Sequence, residues 1–167
     1  MASKSKHSAD VDERERSAYH AAGHAIACDE LGVYYEKVAV MCEQNACPCR
    51  RRPIDYVADG NPEQERHYTL VEAVIDYAGH AAVVALLKHG DMSEWSASQL
   101  GAGHDFRKAR TRLTEDGVRM VQAKALAVEI VEARSAHVRK LAIALVDCGE
   151  LSIQQVDLLL VKSASAV

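Results

Sequence analysis

From Val11 to Leu31 the chain runs without proline, and Ala, Glu and Arg dominate. Only Gly23 is a weak helix former there, and Gly32 follows as a stop, so the stretch predicts one helix. Lys37–Met41 is short, partly β-branched and bounded by irregular sequence, which predicts a strand. Glu43–His67 carries all three prolines and Gly60, and predicts an exposed excursion with one more strand near Ile54–Ala58. A second helix is expected from Thr69 to Lys88, opened by a capping box of Thr69 with Glu72 and closed by Gly90. Residues 90–103 are Ser- and Gly-rich, and predict a loop anchored by Trp95. A helix over Gly103–Glu115 and a long one over Gly117–Asp147 follow, the latter placing Val121, Leu126, Ile130 and Val131 near one face and ending at Gly149. Ser152 with Gln155 caps a last short helix through Val161. The pattern predicts a mainly α fold with a small β-sheet, of the α+β class. It forms one domain over 11–162, between a polar tail at 1–10 and a short tail at 163–167.

Length and composition agree with a single core. The chain has 167 residues, 49% of them hydrophobic, which suits one compact domain. Its net charge is −4 with acids and bases interspersed, so no nucleic-acid face is expected, and Arg50-Arg51-Arg52 reads as a solvated loop. The uninterrupted apolar stretches Ala81–Leu87 and Leu141–Val146 are too short to cross a bilayer. No G-x-x-x-x-G-K-[ST] loop occurs, so ATP is not an expected partner. Five cysteines, an odd number, and a polar Met1–Ala9 lead to the expectation of a reduced, cytoplasmic protein.

The chemistry centres on Tyr19-His20-Ala21-Ala22-Gly23-His24. Residues four apart on a helix project from nearly the same face, one turn apart. His20 and His24 therefore match the spacing with which two imidazoles bind one zinc ion. A bare H-x-x-x-H occurs often by chance. Here small residues between the histidines leave room for another element. Asp105 also stands as a third ligand at a helix start after Gly101-Ala102-Gly103. Three protein ligands and one open position make a catalytic zinc site. In H-E-x-x-H sites a glutamate follows the first histidine and moves the proton of the zinc-bound water. Ala21 occupies that place, and a methyl group carries no proton.

These segments resemble the peptidase domain of FtsH-type, ATP-dependent zinc proteases. Ser17–Ala25 is similar to A-Y-H-E-A-G-H-A, differing at Ala21, and Lys37–Val40 to the short strand that follows. Tyr77–Ala82 resembles L-G-G-R-A-A-E, with Val83 in place of the acid. Gly101–Ala109 resembles G-A-S-N-D-L-x-x-A, whose Asp is the third ligand, which favours Asp105 over its neighbour His104. Glu132–Leu160 resembles the closing helices. The resemblance implies a Zn2+ metalloendopeptidase acting without ATP on flexible proteins or peptides, silenced by Ala21. The alternatives are a natural pseudopeptidase that binds zinc and peptide, and a helical interaction module without metal. Homo-oligomerisation is left open. Val38, Ala39 and Val40 are the expected substrate platform, because an exposed strand edge pairs with extended peptides. Cys42, Cys47 and Cys49 offer a competing metal group, although their spacing fits no standard zinc module. His67, His80, His89 and His137 are expected in core, surface or capping roles. Asp76, on the His80 side of its helix, is either a partner to the site or solvated.

Overall fold

The computed structural model describes residues 6–40, 49–51, 61–114 and 116–161. In chain order the elements are α1 (Lys6–Glu30), β1 (Tyr35–Ala39), β2 (Cys49–Arg51), α2 (Pro62–Leu87), α3 (Glu94–Gln99), α4 (Gly103–Arg112), α5 (Gly117–Ala133), α6 (Ser135–Cys148), β3 (Glu150–Ser152) and α7 (Ile153–Val161). The architecture is mainly helical with one small sheet, so the α+β expectation holds.

Helix α1 starts at Lys6, so residues 6–10 extend the helix instead of forming a tail. Nothing in Lys-His-Ser-Ala-Asp breaks a helix. Gly32 ends it with φ +67, where a side chain would be strained. Helix α2 starts seven residues before the expected box. Asn61 accepts from the Glu63 N–H at 3.0 Å and Pro62 fits the first turn. Thr69 instead lies inside α2, its hydroxyl donating to the Arg66 carbonyl. The left-handed residue closing α2 is Lys88, two positions before Gly90.

Residues 90–103 hold a helix, α3, capped by the Ser93 hydroxyl. Trp95 is 75% exposed there, so it does not anchor the loop. The expected long helix is two, parted at Arg134. The Arg134 guanidinium is turned onto Asp29 and Glu30 at the end of α1, a tertiary contact that helical propensity does not encode. Asp116 caps α5, and Ser152 and Gln155 form the expected reciprocal capping box at α7.

The sheet order is β2-β1-β3, antiparallel throughout. Val38 pairs with Cys49 on one side and Leu151 on the other. Strand β1 is therefore central, and the expected edge at Val38 and Ala39 is already occupied. Val40 lies beyond the strand and donates its N–H to the Gly149 carbonyl. Strand β3 was not foreseen because three residues carry no readable period. The strand expected at Ile54–Ala58 lies outside the described residues.

Helix α1 packs on α2 and α6, and α2 packs on α4 and α5. The α1–α2 crossing is built from small residues. A Cβ added at Gly23 would fall 2.4 Å from the Ala78 carbonyl oxygen, so backbone meets backbone there. By length and composition α2 could cross a membrane, yet 67% of its apolar window is buried inside the protein, as in a core helix.

Candidate metal centre

His20 and His24 project from α1 toward α4, where Asp105 lies in the first turn. The three come together as their spacing predicts. His20 Nε2 lies 3.0 Å from His24 Nε2 and 3.1 Å from Asp105 Oδ2, and His24 Nε2 lies 3.4 Å from the same oxygen. Ligand atoms placed tetrahedrally at about 2.0–2.1 Å from one zinc ion stand about 3.3 Å apart. The triangle is thus close to the size that such an ion requires. Among the described residues this is the one group of three His, Cys, Asp or Glu side chains able to hold a metal. His104, although adjacent to Asp105, is not part of it.

The tautomer of His24 is fixed from outside. Its Nδ1 donates to the Ile75 carbonyl of α2 at 2.7 Å, since a carbonyl can only accept. In the neutral ring Nε2 is then a lone pair aimed at the Asp105 carboxylate. Two electron-rich atoms facing one another in this way could hold a cation between them. A carbonyl partner on the far nitrogen is also the usual support of a metal-bound histidine.

Gly79 lets α2 come this close. A Cβ there would fall 2.4 Å from His24 Nε2 and 2.8 Å from His20 Cε1. Real Cβ atoms do not approach so near, so any side chain at 79 would displace the ligands. Sequence reasoning placed Gly79 in a motif without assigning it a task. The signal was a glycine in the middle of a long apolar helix, where it costs stability unless something must approach closely.

Burial disfavours the charged form of Asp105. Hydrogen bonds and charge from His20 and His24 outweigh it and hold the carboxyl well below the usual range. Burial pushes the His20 imidazole below its ordinary value, against the hydrogen bond to Asp105. The two directions favour a carboxylate anion at Asp105 and the neutral form of His20, the protonation that a metal ion needs. Neither family models nor curated proteins give a match to the chain. The centre stands on its geometry.

Ala21, where the glutamate was expected, is fully buried. Asp76 is not solvated. It is fully buried and pairs with Arg112 Nε at 3.0 Å. Of the competing cysteines, Cys42 and Cys47 lie outside the described residues and Cys49 sits in β2.

Proposed function

We propose that this chain is a zinc-binding domain of the FtsH-type peptidase class that holds its metal but does not cleave as it stands. The observation that carries the reading is the His20–His24–Asp105 triangle, with His24 pre-oriented by Ile75. His20, His24 and Asp105 would hold the ion and leave a fourth position for water or a peptide carbonyl. Zinc, when bound, supplies Lewis acidity and an acidified water. Gly79 keeps the ligands in register, and Ala21 has no group to take the water's proton. The substrate class is a flexible protein segment or peptide, reached without ATP. Peptide addition to β1 is withdrawn, because both sides of that strand are paired. The exposed free thiol of Cys148 fits a reducing, cytoplasmic setting.

One observation favours a natural recognition module over an enzyme silenced by substitution. The Ala21 side chain is sealed in the core, where a glutamate would carry charge away from water. Ala21→Glu separates the two readings. A positioned general base contributes about 10²–10⁴-fold. If the zinc-loaded variant gains casein cleavage of that order, the chain is a silenced peptidase. Zinc-loaded protein that stays inert, while still binding unfolded peptide, is a pseudopeptidase. Protein that takes up no zinc sinks both.

A further inference from the structure

Helix α5 has a buried side and an open one. Ala123, Ala127 and Val131 are buried against the rest of the fold. Val118, Val121, Ala125 and Val128 recur at steps of three, four and three residues on an outward side, the spacing of a seam between two helices. Val118 is 80% and Val121 69% exposed, and Ala125 is exposed as well. Met92, in the turn before α3, joins Ala125 and Val128 in lining a groove of about 640 Å³. Folded monomers rarely leave a continuous apolar stripe open, and such stripes mark contact surfaces.

The charges beside the seam narrow what covers it. Lys124 lies nearer the start of α5, and Glu129 and Glu132 lie nearer its end. All three line the same groove. The Lys124 ammonium is held 5.0 Å from the Phe106 ring centroid and 5.4 Å from that of Tyr77. Those rings supply no anion, and among the described residues none of the three charges forms an ion pair. Nor do they satisfy one another, because five and eight residues of helix hold Lys124 about 7.5 and 12 Å from them along the axis.

We propose that this seam of α5 docks the same seam of a second copy of the chain, antiparallel across a two-fold axis near Ala125 and Val128. A parallel copy would set Glu132 against Glu132. An antiparallel copy brings the Lys124 of each chain level with the acidic end of the other, so the contact is self-complementary and is made twice. Ala125, small and central, lets the two helices approach closely. The metal centre takes no part, so the inference stands or falls apart from it.

Sedimentation equilibrium of the full chain over a concentration series tests the proposal. The mass should rise from one chain toward two, stop there, and fall back as salt is raised. Val121 is exposed, so Val121→Asp leaves the core alone. It should weaken association about 10-fold or more, because a charge enters an apolar seam. Glu129→Lys with Glu132→Lys makes the face wholly basic, and Lys124→Glu makes it wholly acidic. Each should stay a single chain alone, and an equimolar mixture of the two should regain the paired mass. Melting shows which variants fold. If Lys124→Glu does not, Val121→Asp and the basic variant still carry the test against the parent. A parent that remains one chain at every concentration overturns the proposal and leaves the seam to a helix of another protein. Association that Val121→Asp or the basic variant leaves unchanged also overturns it, as does growth past two copies.

Discussion

Two buried carboxylates, Asp76 on α2 and Asp105 on α4, are neutralised in opposite ways. Asp76 meets the Arg112 guanidinium, which also pairs with Glu72. A guanidinium stays charged at every accessible pH, so this site is complete with protein groups alone. Asp105 meets two imidazoles, one of them holding a lone pair toward it. Burial favours the neutral form of His20, and an imidazole, unlike a guanidinium, is no permanent countercharge. The difference teaches what each site is for. The first pins α4 to α2 as scaffold, and the second is a group that could hold a cation.

The largest effect should come from breaking the complete site. Arg112→Met leaves the fully buried Asp76 without its guanidinium. Removing one partner of a buried ion pair costs about 3–5 kcal/mol, and the partial exposure of Arg112 places the expectation near about 3. Urea denaturation of the metal-free protein measures it. A loss below about 1 kcal/mol would mean that Asp76 does not depend on Arg112, and the contrast would fail.

Asp105→Ala should behave in the reverse manner. Metal-free stability should fall by less than in Arg112→Met, because the cost of burying the anion leaves along with the hydrogen bond that His20 gives it. The stabilisation by zinc should vanish, a loss of about 2.7 kcal/mol at a free zinc concentration 100 times the dissociation constant. Melting with and without zinc reads both numbers. An equal zinc-induced shift in parent and variant would remove Asp105 from the centre.

A smaller effect separates imidazole from guanidinium by pH. Burial lowers His80 below its ordinary value, against the pull of the Asp91 carbonyl. The unfolded chain therefore binds the proton first as pH falls below about 6.5. His80 contributes stability that is full above that value and declines toward its lowered folded value, with a limiting slope of about 1.4 kcal/mol per pH unit. In metal-free protein, His80→Phe should flatten the fall in stability below about pH 6.5 by up to that slope. An unchanged profile would show that His80 titrates alike folded and unfolded.

Much of this was legible in the sequence where local chemistry decides. The histidine spacing, Asp105 after its glycine turn, the stops at Gly32 and Gly149 and the box at Ser152 and Gln155 are short-range signals. The start of α2 was misplaced because Asn61-Pro62 lies in a proline-rich stretch and a plausible box, Thr69 with Glu72, competed with it. The break at Arg134 depends on Asp29 and Glu30, more than 100 residues away, and no local pattern contains it. The edge expected at Val38 failed for a related reason. Strand β3 returns from the far end of the chain to cover β1, and a three-residue strand has no period to read. Ala21 was legible as a missing base, whereas its burial was not.

The central claim is that the Asp105 triangle is completed by a metal ion. X-ray absorption at the zinc edge, on protein purified without chelator, tests it most directly. The account predicts one zinc per chain with nitrogen and oxygen ligands at about 2.0–2.2 Å, two of them imidazoles, and loss of that shell in Asp105→Ala. Protein free of zinc, or a shell of sulfur at about 2.3 Å, would contradict it.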